Sequence, residues 1–168
     1  MLSIKQLLDI CEGVPRRDYA PGDILLHEDR PSSGMLLFLV SGTVEIIKGD
    51  DILITKVLKP GSPIGEMSLL LRRPITATVR AVTPTCCLVV EDGISFLKCH
   101  TDVLLTVSEL LAQRLHAATT YLADIKQQYK ERDPSLAMID EVLDALIHQA
   151  HDDDEPASGS EREADPNK

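Results

Sequence analysis

A glycine turn followed by a short apolar helix is the part of this sequence best suited to hold a charged ligand. The stretch covers residues 61–79. Because Gly61 and Gly65 have no Cβ, their backbone can take a positive φ and come close to a bound molecule. The first amides of the helix predicted at residues 67–71 have no partner inside that helix, and such amides attract an anion. Pro74 is predicted to end the helix, because a proline disfavours the α conformation of the residue before it.

Catalytic or metal-binding chemistry is not indicated elsewhere in the sequence. We find no Ser-His-Asp or Cys-His set, no nucleophile elbow and no Walker loop, so the chain is not predicted to be an enzyme. The cysteines lack the Cys-x-x-Cys spacing of a metal site, and we predict no metal and free buried thiols in a reducing compartment. The cysteines are Cys11, Cys86, Cys87 and Cys99.

The length and charge of the chain limit its classes of partner. Its 168 residues are enough for one domain with a hydrophobic core. No run of about twenty apolar residues is present, so no membrane span is predicted. The N-terminus does not have the pattern of a secretory signal, which favours the cytoplasm. The net charge of −10 argues against a nucleic-acid-binding surface, and no DNA partner is expected.

Short apolar runs separated by turn residues predict an all-β roll or barrel-like sandwich in the first half of the chain. A short amphipathic helix is predicted before it, at residues 3–11, where apolar residues recur on one side. A further helical region is predicted to start at residue 91. The first predicted strand region, residues 19–27, contains a turn signal at Pro21-Gly22 before a short apolar run. The other predicted strands cover residues 35–40, 43–47, 51–58, 76–81 and 85–90.

A long amphipathic helix is predicted at residues 101–132, with an apolar series that begins at Leu104. From residue 111 onward the apolar steps alternate between four and three, which is typical of a coiled-coil seam. This face either packs on the β-roll or pairs with a second copy of the chain. At about 1.5 Å per residue the helix is longer than a small β domain needs, which favours a homodimer. The seam positions are Leu111, Leu115, Ala118, Leu122, Ile125 and Tyr129.

These patterns predict four segments. An N-terminal helix takes residues 1–14, the β-roll takes residues 15–100, and C-terminal helices take residues 101–150. Asp133 and Pro134 are predicted to start the second of these helices, as N-cap and first helical residue. The acidic, polar tail at residues 151–168 is predicted to be disordered.

Two motifs in residues 61–79 resemble the phosphate-binding cassette of the cyclic-nucleotide-binding domain family. With the strand pattern, the resemblance covers residues 19–115. It implies a mainly β fold with flanking helices, namely a jelly-roll-like β-roll and a long C-terminal helix. The bacterial catabolite-activator-like branch has this arrangement, but too few residues follow here for its helix-turn-helix output domain. The motifs are Gly65-Glu66-Met67-Ser68-Leu69 and Pro74-Ile75-Thr76-Ala77-Thr78-Val79.

The sequence departs from the family pattern at two positions. Ile75 stands where the family has the arginine that holds the cyclic phosphate. Asp29 replaces a turn glycine after the first strand, although aspartate can enter left-handed conformations more easily than most residues. Arg72 or Arg73 could supply the missing positive charge, or could simply be solvated.

The resemblance implies a ligand site made largely of backbone groups. The amides of Glu66, Met67 and Ser68 would face the phosphate, and the Glu66 carboxylate would accept a hydrogen bond from the ribose 2′-hydroxyl. Alternatively, Glu66 caps its own short helix. Thr119 and Thr120 could cover the base, or could bond back to their own helix. The residues implied to bind the ligand are Gly65, Glu66, Met67, Ser68, Ile75, Thr76 and Ala77.

The implied function is a regulatory sensor whose ligand is cAMP or cGMP and which has no other cofactor. Binding would shift the C-terminal helix, and an effector protein would read that shift. A charge-assisted hydrogen bond is worth about 1.5–3 kcal/mol, so losing the arginine should weaken binding about ten- to hundred-fold. The alternative is a degenerate domain that binds no nucleotide and acts as a dimerisation or protein-interaction module.

Overall fold

Two four-stranded antiparallel sheets and four helices form the part of the chain that the structure describes. The structure is a computed structural model, and it describes residues 3–50, 52–129, 141, 142 and 145. The mainly β fold with flanking helices is confirmed. The elements in chain order are α1 (Ile4–Ile10), β1 (Arg16–Tyr19), β2 (Ile24–Leu26), β3 (Leu36–Ser41), β4 (Val44–Lys48), β5 (Ile52–Val57), β6 (Pro63–Ile64), α2 (Glu66–Leu71), β7 (Thr78–Ala81), β8 (Thr85–Val90), α3 (Gly93–Cys99) and α4 (Thr101–Tyr129).

The strand order brings together segments that are far apart in the sequence. The first sheet has the order β1-β8-β3-β6, and the second has the order β2-β7-β4-β5. Every pairing is antiparallel, with β1 beside β8 and β2 beside β7. The chain therefore winds back on itself as a roll, with the stretch at residues 61–79 connecting one sheet to the other.

Strands β3 and β8 of the first sheet are covered on both faces, because their side chains alternate between two apolar clusters. On β3, Leu37 and Leu39 face the second sheet, whereas Leu36 and Phe38 face the helices. The interior cluster, between the sheets, consists of Leu25, Leu26, Leu37, Leu39, Val44, Ile64, Val79, Ala81, Cys87 and Val89. The helix-side cluster consists of Leu7, Cys11, Leu36, Phe38, Leu69, Leu88, Val90, Leu97, Val103 and Val107.

Two strands escape the sequence analysis. β1 carries four polar or aromatic residues and lies at a sheet edge with most of its side chains exposed, so it has no apolar alternation. β6 is only two residues long. In the strand region predicted at residues 19–27, β1 ends at Tyr19 and β2 starts at Ile24, so the predicted turn at Pro21-Gly22 is confirmed. The turn between them contains Gly22, which has a φ of 92°.

Of the two helices after the roll, α3 begins with a side-chain cap and α4 buries an unexpected face. The Asp92 carboxylate accepts a hydrogen bond from the Ser95 amide at 3.0 Å and so caps α3. In α4, Val103 and Val107 are the buried residues of the first two turns. Leu104, at which the predicted apolar series begins, is only half-buried beside the helix-side cluster. Residues four apart lie on one helix face, so the valines form the face that covers the sheet.

The chain divides into two compact units between Ala112 and Gln113. The first unit contains both sheets, and the division falls within α4. The predicted second C-terminal helix lies outside the described residues except for residues 141, 142 and 145, which are helical. The predicted disordered tail at residues 151–168 lies outside them entirely.

The four cysteines are free, as predicted, but they are not all buried. Cys11 and Cys87 are buried in the two clusters, and Cys86 is partly covered. Cys99 is exposed near the end of α3, which contradicts the prediction of burial. The adjacent residues Cys86 and Cys87 differ in burial because neighbouring side chains of a strand point to opposite faces.

Candidate ligand-binding site

The turn into α2 depends on a glycine at position 65. Gly65 has a φ of 90° and occupies the N-cap position of α2, directly after β6. A Cβ at this residue would lie 3.1 Å from Leu26 Cδ1 and 3.4 Å from the Met35 carbonyl oxygen. Both the left-handed backbone and the tight packing exclude a side chain. The predicted positive φ at Gly65 is therefore present, and the turn is held between β2 and β3.

The short helix α2 separates the predicted site residues by their exposure. Glu66 and Ser68 are buried, whereas the Met67 side chain is 45% exposed. Leu69 is buried in the helix-side cluster. Among these residues Met67 is therefore the one whose side chain is most open to solvent.

The helix ends at Leu71, the residue at which the sequence analysis ends it. Arg72 adopts a left-handed conformation with a φ of 52°, and its amide donates to the Ser68 carbonyl. The Arg73 amide donates to the same carbonyl at 3.1 Å. Two amides on one carbonyl oxygen close the last turn in the manner of a left-handed C-cap. Pro74 thus follows a helix that already ended at Leu71.

Arg72 and Arg73 line a cavity of about 440 Å³ on the helical side of this segment. The same cavity is lined by Leu69 and Ile94, which belong to or pack against the helix-side cluster. Ile75, in contrast, packs against the interior cluster between the sheets. The cavity is also lined by Ser68, one of the residues implied to bind the ligand, so the structure brings both arginines to the same cavity as Ser68, whereas Ile75 is not among the residues that line it.

Ile75 is attached through its backbone to the turn between β2 and β3. Its amide donates to the Arg30 carbonyl at 2.9 Å, and its carbonyl accepts from the Asp29 amide at 2.9 Å. Asp29 has a φ of 61°. The left-handed turn predicted at Asp29 is confirmed, and this turn holds the segment of the cassette's second motif that precedes β7.

Thr76 and Ala77, the two residues after Ile75, are both half-buried. The Thr76 carbonyl oxygen accepts a hydrogen bond from Lys48 Nζ at 2.7 Å. This contact joins the end of β4 to the residue next to Ile75. It brings a primary ammonium group close to the position where the family resemblance places a guanidinium.

Lys48 belongs to a small charged network that the sequence analysis missed. Lys48 Nζ lies 2.5 Å from Glu28 Oε1, and the Gly49 amide donates to Glu28 Oε2 at 2.7 Å. The hydrogen bond from Lys48, with that from Gly49, holds the pKa of the Glu28 carboxyl below its ordinary value. The one available signal was the alternation of β4, in which Lys48 has the same parity as Val44 and Ile46.

The two threonines proposed to cover a base lie in α4, within the second unit. The Thr119 hydroxyl donates to the carbonyls of Leu115 and His116 at 3.0 and 2.9 Å. This is the back-bonding alternative for a mid-helix threonine. Thr120 is exposed.

The described residues contain neither a metal-binding cluster nor a helix suited to cross a membrane. Residues 3–50 and 52–129, with 141, 142 and 145, contain no group of three or more His, Cys, Asp or Glu side chains arranged to hold a metal ion. In that same part of the chain, no helix combines the length and the apolar character that crossing a membrane requires.

Comparison with known proteins gives concordant results. Residues 16–95 match the family described as the cyclic nucleotide-binding domain. A curated relative, the HTH-type transcriptional regulator Cmr of Mycobacterium tuberculosis (strain CDC 1551 / Oshkosh), is 26% identical over 145 residues. The match covers 84% of this chain and 59% of that relative, so the chain spans less than two thirds of the relative's length.

Solved structures share the same fold. The N-terminal domain of a transcriptional regulator from Streptomyces coelicolor A3(2) is 26% identical with a TM-score of 0.52, over 71% of this chain and 86% of that one. The catabolite activator protein of Thermus thermophilus is 22% identical with a TM-score of 0.62, over 88% of this chain and 83% of that one. With the two-sheet roll and the Gly65 turn, these findings show that residues 16–95 of this chain form a domain of the cyclic nucleotide-binding family.

Proposed function

We propose that the chain is a regulatory sensor that binds cAMP or cGMP in the β-roll and signals through movement of its C-terminal helix. The observation that carries the proposal is the preformed turn at Gly65, which is tightly packed against Leu26 and Met35. A rigid turn needs no ordering when a ligand binds, so less binding free energy is lost. The family match at residues 16–95 supports a cyclic nucleotide as the ligand.

The proposed ligand contacts follow the cassette. The amides of Glu66, Met67 and Ser68 would face the phosphate, and the buried Glu66 carboxylate would accept from the ribose 2′-hydroxyl. Ile75, Thr76 and Ala77 would form the wall opposite these amides. Isoleucine offers no hydrogen-bond donor, so we expect weaker binding than in a domain with the arginine.

A packed route for the signal exists within the first unit. Leu69 of the cassette helix shares the helix-side cluster with Leu97 of α3 and with Val103 and Val107 of α4. A Cβ at Gly93, the first residue of α3, would lie 2.6 Å from Leu69 Cδ2. Because close-packed side chains transmit displacement, a shift of Leu69 on binding should move α3 and the start of α4.

The direct test is isothermal titration of the purified chain with cAMP and with cGMP at millimolar ligand. We expect measurable heat with at least one of them, and a rise in the melting temperature in the same conditions. Ile75→Arg should tighten binding by about tenfold or more, because it restores a charge-assisted donor. Ile75→Leu is the matched control and should not. Absence of both heat and thermal shift in the wild type and in Ile75→Arg would refute the sensing function.

A second candidate is a degenerate domain that acts as a dimerisation or protein-interaction module. The observation that favours it is that Ile75 packs against the interior cluster, as a residue of a closed core would. In that case Ile75→Arg would lower stability without creating a binding site. In both candidates we propose a homodimer through residues 111–129 of the long helix, with an effector protein as a further partner.

Three coarser expectations accompany both candidates. The relatives named above are transcriptional regulators, which supports the prediction that the chain is not an enzyme. A role in the cytoplasm, and the absence of a DNA contact by the described residues, stay predictions.

A further inference from the structure

Lys48 is the last residue of strand β4 and contacts the backbone of Thr76. β4 pairs in regular register with β7, so that Val44 lies opposite Ala81 and Ile46 lies opposite Val79. Val44, Val79 and Ala81 belong to the interior cluster, and Ile46 packs against it. Side chains of a strand alternate between its faces. Lys48, two residues after Ile46, therefore starts from the face that points between the sheets.

The ammonium group of Lys48 has unused capacity at this position. It carries three N–H donors. One donates to the Thr76 carbonyl at 2.7 Å, and the ion pair with Glu28 occupies a second. The Lys48 side chain is 53% exposed, whereas that of Glu28 is 11% exposed. The third donor is thus available to a molecule that lies against Ile75 and Thr76.

We propose that Lys48 supplies the positive charge for the anionic group of the ligand, in place of the guanidinium that Ile75 cannot provide. The proposal rests on the proposed function, since it concerns the same site. The chemical requirement is a ligand with a phosphate or similar anion that can accept a hydrogen bond from Nζ. A primary ammonium acts as a point charge without the fork geometry of arginine, so its contact is tolerant of small shifts in the phosphate.

Glu28 offsets part of this positive charge. Its carboxylate pairs with the Lys48 ammonium and accepts a hydrogen bond from the Gly49 amide in the next turn, while the contact with the Thr76 carbonyl holds Lys48 independently of Glu28. The same negative charge repels an incoming phosphate. Replacement of Glu28 by glutamine should therefore strengthen the binding of an anion. If Glu28 served only to stabilise the fold, the same replacement would not strengthen binding.

The test compares four variants by isothermal titration with cAMP and with uncharged adenosine. Lys48→Met removes the charge, Lys48→Arg retains it, and Glu28→Gln neutralises the carboxylate. Arg80→Met is the matched control, because Arg80 pairs with Glu45 on the opposite face of the same sheet, where its Nε lies 2.7 Å from Glu45 Oε1. A melting curve for each variant verifies that it is folded before titration.

We expect Lys48→Met to weaken cAMP binding about ten- to hundred-fold, as the loss of one charge-assisted hydrogen bond predicts. Lys48→Arg and Arg80→Met should stay within about threefold of the wild type. Glu28→Gln should bind cAMP several-fold more tightly, and adenosine should bind all variants alike.

The outcomes separate this inference from the proposed function. Wild-type binding of cAMP with Lys48→Met no weaker than Arg80→Met would overturn the role of Lys48 and leave the sensing function intact. Weaker cAMP binding by Glu28→Gln would also overturn it, including where Lys48→Met does not fold. No binding of cAMP or cGMP by the wild type, by Ile75→Arg or by Glu28→Gln would defeat the sensing function itself.

Discussion

The turn at Gly65 can be tested by comparing Gly65→Ala with Gly22→Ala. The two glycines have nearly the same φ, 90° and 92°. Adding a Cβ at either position costs about 1–2 kcal/mol for the left-handed backbone. The surroundings differ, because nothing lies within 4 Å of a Cβ at Gly22, whereas one at Gly65 meets Leu26 Cδ1 at 3.1 Å. The difference between the variants therefore isolates the packing of the cassette turn.

The packing contribution follows from the burial of Leu26. This side chain is 7% exposed and belongs to the interior cluster, so it has little room to move away from an added methyl group. Overpacking a close-packed core by a methylene costs typically about 1–3 kcal/mol. At about 2–4 °C per kcal/mol for a chain of this size, Gly65→Ala should melt about 2–12 °C below Gly22→Ala.

The assay is thermal denaturation followed by far-ultraviolet circular dichroism, with urea denaturation to compare free energies of unfolding. Both variants should lie below the wild type, with similar urea m-values. Gly65→Ala should also weaken any cyclic nucleotide binding, which Gly22→Ala should leave unchanged. Equal melting temperatures for the two variants would mean that the turn is not held by Leu26 and Met35, and the case for a preformed site would fail.

Three further predictions concern reactivity, pH and assembly. Iodoacetamide at about pH 8 should alkylate the exposed Cys99 in the folded protein. It should spare Cys87 until the protein unfolds, because burial raises the pKa of the Cys87 thiol to about 12. Equal alkylation rates of the two cysteines in peptide mass spectrometry would contradict the structure. The hydrogen bond from Lys48 lowers the pKa of Glu28 in the folded protein. The contribution of this ion pair to stability is therefore present above the ordinary pKa of 4.5 and is lost as the pH falls through the lower folded pKa. The urea midpoint of Glu28→Gln should consequently fall less steeply with acid than that of the wild type. Leu115→Glu should convert a homodimer to a monomer in light scattering, whereas Tyr121→Glu, outside the seam, should not; Leu115 and Tyr121 are 47% and 67% exposed.

The local features of the cassette could be predicted because each depends on neighbouring residues. A glycine before a short apolar helix predicts the left-handed turn at Gly65, and the side chain of Asp29 allows the left-handed turn after β2. The uninterrupted apolar residues of β3 likewise indicate a strand buried on both faces. These choices are made by backbone sterics and by the period of the side chains.

The polar and edge elements escaped prediction because their order comes from distant partners. β1 has no apolar period, and it is a strand because it pairs with β8, about seventy residues later in the sequence. In α4 several apolar residues could have faced the sheet, and only packing against Leu97 and Phe38 selects Val103 and Val107.

The amino-acid sequence alone therefore determined the β-roll, its family and the backbone of the cassette, since turn residues and side-chain periods act over a few positions. Only the tertiary structure decided where the charges of the site lie. Glu28, Lys48 and Thr76 are separated by 20 and 28 residues, and only the antiparallel pairing of β4 with β7 and the turn after β2 bring them within hydrogen-bonding distance. Sequence spacing does not specify contact in space, so only the fold shows that Arg72 and Arg73 line one cavity with Ser68.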